Sequence, residues 1–221
     1  MNPVLAALHK DLLLQWRTRA QFMAIFVFGA TALLLFSFAI GPNAQALRQH
    51  AAGFLWLGLL LSSTLTLAET FQSEMEQRAL EGLLLLPADN RALYYGKALS
   101  NWAQLTLLGA ALVPVMIILY DAGTTRVLEL LGIIVLGAAG LSAPGTLYAA
   151  MTSQARARQT LLPILYFPLV VPVLLSAVKA TSLLILGDPM DQARSWAGLL
   201  VAFDLIHWSL GGLLFGRVAE D

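Results

Sequence analysis

The sequence predicts an all-α membrane protein with six transmembrane helices, and three observations predict it. Of its 221 residues 58% are hydrophobic and 12% charged, whereas a soluble domain has roughly 45–50% and roughly 25%. Six apolar runs match the roughly 20 residues that a helix needs to cross about 30 Å of hydrocarbon. Lys and Arg, finally, are shared unequally between alternate loops. The formal net charge is zero, from 13 Lys plus Arg against 13 Asp plus Glu, so the basic footprint of a nucleic-acid binder is missing from the composition. The chain has no cysteine, which excludes disulfides, thiolate metal sites and a cysteine nucleophile.

Ahead of the first span, Val4, Leu5, Leu8, Leu12 and Trp16 recur at helical spacing while His9, Lys10, Asp11 and Arg17 take other faces. This pattern predicts a helix lying in the membrane interface with Trp16 at headgroup depth; a solvated approach to the first span is the plainer alternative. The first span is Phe22–Ile40. Basic residues before it and Ala44-Gln45-Ala46 after it sketch a signal peptide, but its apolar core exceeds the about 7–15 residues of such a leader, so it is read as retained. The second span is Ala51–Ala68, followed by the polar interval Glu69–Lys97. The remaining spans are Ala98–Tyr120, Leu130–Ser153, Thr160–Val178 and Trp196–Phe215. Their short connections predict a single transmembrane domain over residues 1–221, with no soluble domain inserted.

Orientation follows from basic residues near span ends, which stay in the cytoplasm. With the N-terminus inside, the inner segments hold Lys10, Arg17, Arg19, Arg78, Arg91, Lys97, Arg156, Arg158 and Arg217, and the outer loops only Arg48, Arg126, Lys179 and Arg194. Both termini and the polar interval are therefore expected in the cytoplasm.

Within that interval Glu74–Leu86 can form an amphipathic helix. Phe71, Met75, Ala79, Leu83 and Leu86 make one apolar stripe, and Glu74, Gln77 and Glu81 lie on another face. Glu74 and Arg78 stand in the favourable i,i+4 order. Gly82 costs about 1 kcal/mol against Ala in a helix interior, and Pro87 closes the segment. Asp89 or Asn90 can then cap the helix that carries Arg91 to Lys97 into the third span. Such a helix could rest its stripe on the membrane and offer its charged face to a soluble partner, or be a solvated loop helix without one; periodicity does not choose.

Asp204 and His207 lie within the sixth span, three residues apart and so on one face. Intramembrane ionisable groups generally face a bundle interior or cavity. They could form a mutually hydrogen-bonded pair that fastens the helix, or a proton relay of a secondary transporter. His9 and His50 are lone and near span ends. Pro144 in the fourth span and Pro163, Pro168 and Pro172 in the fifth remove backbone donors and bend helices, as static kinks or as gating points. Gly212 and Gly216 form a small-xxx-small pair that permits close helix approach. Trp16, Trp102 and Trp196 look like interface anchors.

The stretch GFLWLGLLLSSTLTLAETFQSEMEQRALEGLLLLPA, Gly53 to Ala88, resembles the cytochrome c maturation protein B family, membrane permease subunits of a haem exporter ABC transporter. Further matches follow in order: Ile40-Gly41-Pro42, Lys97 with Trp102, LSAPG at Leu141–Gly145 and LLPILYFPLVVPVLL at Leu161–Leu175. Arg78 departs from a common small residue, Asn101 replaces a frequent His, and the sixth span and tail match poorly. The resemblance implies an ABC-2-type permease with an N-terminal interfacial helix and a cytoplasmic coupling helix in the inner membrane. It implies that Glu74, Met75, Arg78, Glu81 and Leu83 meet a separate ATPase subunit. In agreement, Gly96-Lys97 is followed by Ala98, and Arg91 stands where a phosphate-cradling loop needs glycine, so ATP would be hydrolysed in that partner. No catalytic residue, metal site or resident cofactor is expected. Haem is the implied cargo, with His207 one candidate ligand, although the five scattered Trp do not form the Trp-rich segment of haem-handling relatives. Further implied partners are a haem-handling membrane subunit, a small single-span subunit and, indirectly, a periplasmic haem chaperone. The rival function is a proton-coupled secondary transporter using Asp204 and His207.

Overall fold

The computed structural model describes residues 19–70, 90–153, 155 and 157–218, with the side chains of residues 90, 158, 159 and 216–218 outside it. Six helices make up the described chain: α1 Arg19–Ile40, α2 Ala44–Glu69, α3 Asn90–Tyr120, α4 Val127–Thr152, α5 Arg158–Leu186 and α6 Gln192–Val218. All six are long and apolar enough to cross a membrane. At 1.5 Å per residue the 22 residues of α1 give roughly 33 Å and the 31 of α3 roughly 46 Å, so several helices outrun the hydrocarbon. The expected interfacial helix over residues 4–16 and the expected helix Glu74–Leu86 lie outside the described residues.

Local chemistry sets the helix ends. Gly41, at φ +76, closes α1, its N–H donating to Ser37 O at 3.1 Å; only glycine takes that left-handed turn without cost. Asn43 then caps α2, its Oδ1 accepting from the Ala46 N–H at 3.0 Å. This cap explains why α2 starts at Ala44, ahead of the apolar run at Ala51: Arg48, Gln49 and His50 ride on its first turns instead of forming a loop. Gly187, at φ +113, ends α5. Asp188 caps α6 with both carboxylate oxygens, accepting from the Gln192 and Ala193 N–H groups at 2.8 Å each.

Packing centres on α4, which lies against α2, α3, α5 and α6, while α1 packs on α2 and α3. Glycines let α4 sit close. A Cβ on Gly137 would enter the Trp56 indole of α2, one on Gly145 would meet Leu67, and one on Gly109 of α3 would come 2.6 Å from Ile134. The Trp56 Nε1–H donates to Thr181 Oγ1 at 3.0 Å, so one buried side chain joins α2 and α5 across α4. The Tyr120 hydroxyl donates to Leu33 O at 2.6 Å and holds α1 to α3. Outward, Phe28, Leu35, Phe38, Ile118, Leu128 and Leu205 are exposed. An exterior of this kind is stable only against lipid, where no hydrophobic force draws apolar side chains inward. The chain is a multi-pass membrane protein.

Candidate functional site

Glu74, Met75, Arg78, Glu81 and Leu83, the expected contacts with a partner, lie outside the described residues. The roots of their segment are described: Thr70, next after α2, and the first turns of α3. These roots are bonded to each other. Lys97 on α3 is 2% exposed, and its Nζ donates to Thr70 O at 3.0 Å. A helix C-terminus carries unsatisfied carbonyls and partial negative charge, so the end of α2 is a suitable place for a buried ammonium. The Thr70 Oγ1 lies 3.1 Å from both Thr66 O and Asn101 Oδ1, and its single proton can serve either acceptor. Asn101 Nδ2 donates to Thr146 Oγ1 at 2.9 Å, and Thr146 donates to Ser142 O at 2.8 Å. Ser142 Oγ returns to Ala98 O at 2.8 Å. The hydrogen bonds therefore run from the end of α2 through α3 into α4. Lys97, counted from sequence as a loop charge, is a buried member of the bundle.

A second set of donors braces the middle of α4. Pro144 interrupts its backbone hydrogen bonds, and aromatic groups from three helices supply donors nearby. The Tyr166 hydroxyl donates to Leu141 O and that of Tyr94 to Ala143 O, each at 3.1 Å. Trp208 Nε1 donates to Ala139 O at 3.3 Å and Trp102 Nε1 to Val135 O at 2.9 Å. Trp102, expected as an interface anchor, is thus turned into the protein by its indole donor. The Tyr95 hydroxyl donates to Trp208 O at 3.2 Å. Close approach of α3 and α6 comes from consecutive glycines, Gly211 under Tyr94 and Gly212 under Tyr95; the side-chain surroundings of Gly216, its expected companion, are outside the described residues. Pro163, Pro168 and Pro172 all lie inside α5, and Pro114 lies inside α3. The Pro172 carbonyl accepts from Ser176 Oγ at 2.8 Å.

Asp204 and His207 do not pair, which corrects the expectation drawn from their spacing. The His207 Nδ1 lies 2.9 Å from Phe203 O on its own helix, and its ring stacks on Phe203 with centroids 3.7 Å apart. Asp204 is 8% exposed and points to α4 and α5, where a Cβ on Gly140 would lie 3.0 Å from its Oδ1 and equally close to Val173. Neither carboxylate oxygen has a hydrogen-bond partner among the described residues. Three residues of helix separate the two groups by about 300° of rotation, close enough to share a face but with the side chains free to diverge. The two-group relay that a proton-coupled transporter would use is not assembled.

At the end of the bundle opposite Arg19 and Val218, Arg126 joins three acidic groups. Its guanidinium donates to both Glu129 oxygens at 2.7 and 2.5 Å and stands 3.5 Å from Asp191 and 3.9 Å from Asp188. Its hydrogen bonding to Glu129 raises the Arg126 pKa above its ordinary value. The N–H of Ala193, with help from that of Gln192 and the Arg126 charge, holds the Asp188 carboxyl below the usual carboxylate range. Thr124 Oγ1 donates to Leu184 O at 2.7 Å and Arg48 to Ile185 O at 3.2 Å, so the loops at this end are tied across α2, α4, α5 and α6.

Comparison with known proteins places this bundle. Residues 2–216 match the family model described as CcmB protein, a match that runs through the sixth span. The chain is 29% identical over 198 residues to heme exporter protein B of Pseudomonas aeruginosa, covering 90% of this chain and 89% of the relative. It is 33% identical over 170 residues to heme exporter protein B of Rhodobacter capsulatus, covering 77% and 78%. With heme exporter protein B of Paracoccus denitrificans it shares 32% over 198 residues, 89% of this chain and 91% of that one. On a match that spans nearly its whole length, the chain belongs to the CcmB protein family.

Proposed function

We propose that this chain is the permease subunit of an ABC transporter for haem export in c-type cytochrome biogenesis, driven by a separate ATPase. The observation that carries the proposal is the family match over residues 2–216 on a six-helix membrane bundle, with relatives named as heme exporters. The chain itself has no catalytic role. ATP is hydrolysed in the partner, which bears on the segment Glu74–Leu86 from the cytoplasm, and haem is cargo. The bundle sits in the bacterial inner membrane with both termini inside, as eight inner basic residues besides the buried Lys97, against four outer ones, favour. It assembles with a haem-handling membrane subunit, which loads a periplasmic haem chaperone, and with a small single-span subunit.

The test is co-purification of the full chain with its ATPase subunit, comparing wild type with Glu81→Lys. Reversing that charge weakens capture and ATP-dependent maturation of c-type cytochromes. Unchanged capture and maturation removes Glu81 from the contact, and a wild-type chain that retains no ATPase overturns the coupled-permease reading.

A further inference from the structure

We infer that Lys97, Thr70, Asn101 and Thr146 form a polar transmission joint that carries displacement of the segment over residues 71–89 into α4. The inference rests on the coupled-permease reading and adds positioning residues to it. Four observations on the molecule support it.

First, the joint lies at the roots of that segment: Thr70 directly precedes it, and Lys97 is on the first turns of the helix that follows it. Second, its hydrogen bonds cross between helices in series, from Thr70 to Lys97 and Asn101 on α3 and then to Thr146 on α4. Third, the groups are shielded from water: Lys97, Asn101 and Thr146 are 2%, 3% and 0% exposed. In such surroundings a hydrogen bond broken without replacement leaves costly unsatisfied groups, so moving Thr70 drags its partners unless its proton passes to another acceptor. Fourth, α4 is the helix against which α2, α3, α5 and α6 all pack, so a shift of α4 reaches most of the bundle.

The joint also has two arrangements available. The Thr70 hydroxyl has one proton and two acceptors at 3.1 Å, Thr66 O within α2 and Asn101 Oδ1 on α3. Donation to Asn101 ties α2 to α3; donation to Thr66 frees the Asn101 oxygen while the Lys97 bond still holds the helix end. Coupling between distant sites needs such an element with discrete states that both sites bias.

The chain has no native cysteine, so paired spin labels can be introduced directly. Phe38 on α1 and Leu128 on α4, 73% and 85% exposed, are changed to Cys, labelled, and measured in the complex of full chain and ATPase, nucleotide-free and with ATP trapped. In wild type the interlabel distance shifts with nucleotide. Asn101→Leu abolishes the shift and lowers c-type cytochrome maturation about fivefold or more, while ATPase capture and hydrolysis stay within about twofold of wild type. Asn101→His, with one acceptor and one donor nitrogen, restores the shift, which a general packing role for residue 101 would not predict. Thr146→Val, isosteric and lacking only the hydroxyl, serves if Asn101→Leu fails to assemble, and it too abolishes the shift. Full shift and maturation in the assembled variants overturns the joint, as does a wild-type complex whose labels do not respond to nucleotide. Loss of ATPase capture by these variants also overturns it, because the residues would then belong to docking. The coupled-permease reading fails separately, when wild type captures no ATPase.

Discussion

Gly137→Ala is the sharpest test of how α4 is held. The new methyl group would lie 2.5 Å from Cζ3 and 3.1 Å from Cζ2 of the Trp56 ring, with Cη2 closer still. Trp56 is 1% exposed and anchored by its hydrogen bond to Thr181, so the ring cannot move without losing that bond. Overpacking costs about 1–3 kcal/mol, and an interhelical hydrogen bond in a membrane about 0.6 and at most about 1.7 kcal/mol. Ala recovers about 1 kcal/mol through helix propensity, leaving a net loss of about 1–3 kcal/mol. Trp56→Phe removes the far ring that meets the methyl group and leaves a cavity for it to fill. The double variant is therefore more stable than the sum of the single costs by about 1–3 kcal/mol. Reversible unfolding in mixed micelles titrated with denaturing detergent measures all four corners of the cycle. Single costs that add to within about 0.5 kcal/mol would refute the contact.

A matched pair on the same helix extends the test. Gly132→Ala, where nothing lies within 4 Å of the added Cβ, leaves stability unchanged or raised, whereas Gly145→Ala drives a methyl into Leu67 and costs about 1–3 kcal/mol in the same unfolding assay. The folded Asp188 carboxyl titrates below its ordinary value of 3.8. Its contribution is therefore complete above that value and is lost as pH falls through the lower, folded one. Hydrogen exchange at residues 187–193 should quicken only under that acid condition, and protection unchanged there would contradict the cap. Asp204→Asn preserves the shape of a carboxyl that has no partner among the described residues, so c-type cytochrome maturation in cells stays near wild type; abolition would bring that carboxyl into the transport step.

Run length made the six helices legible, because the cost of unsatisfied backbone in lipid leaves few alternatives to a helix. Their ends were less so. Asn43 as a cap and Gly187 as a stop are local signals, but the apolar run at Ala51 masked the first and Lys179 the second. The polar joint was not legible at all. Lys97 reads as a flanking charge, and nothing in a single sequence tells which of the many Ser, Thr and Asn near span ends will meet across helices. The same holds for Trp102, whose indole finds Val135 O on α4, and for Asp204 and His207, whose shared face did not imply a bond. Spacing specifies neighbours within a helix, whereas contacts between helices depend on rotation about each axis. The glycines gave a partial signal: small residues mark close approach, and Gly211 and Gly212 allow it under two tyrosines.

The proposed function puts the segment between α2 and α3 in the cytoplasm, against a separate ATPase. Single cysteines at Met75 and Leu83, in a chain that otherwise has none, report on it through labelling with a membrane-impermeant maleimide in spheroplasts and in inverted vesicles. Reaction is expected only in inverted vesicles, with protection when the ATPase subunit is bound. Labelling in intact spheroplasts, or full reactivity in inverted vesicles whatever the ATPase, would contradict it.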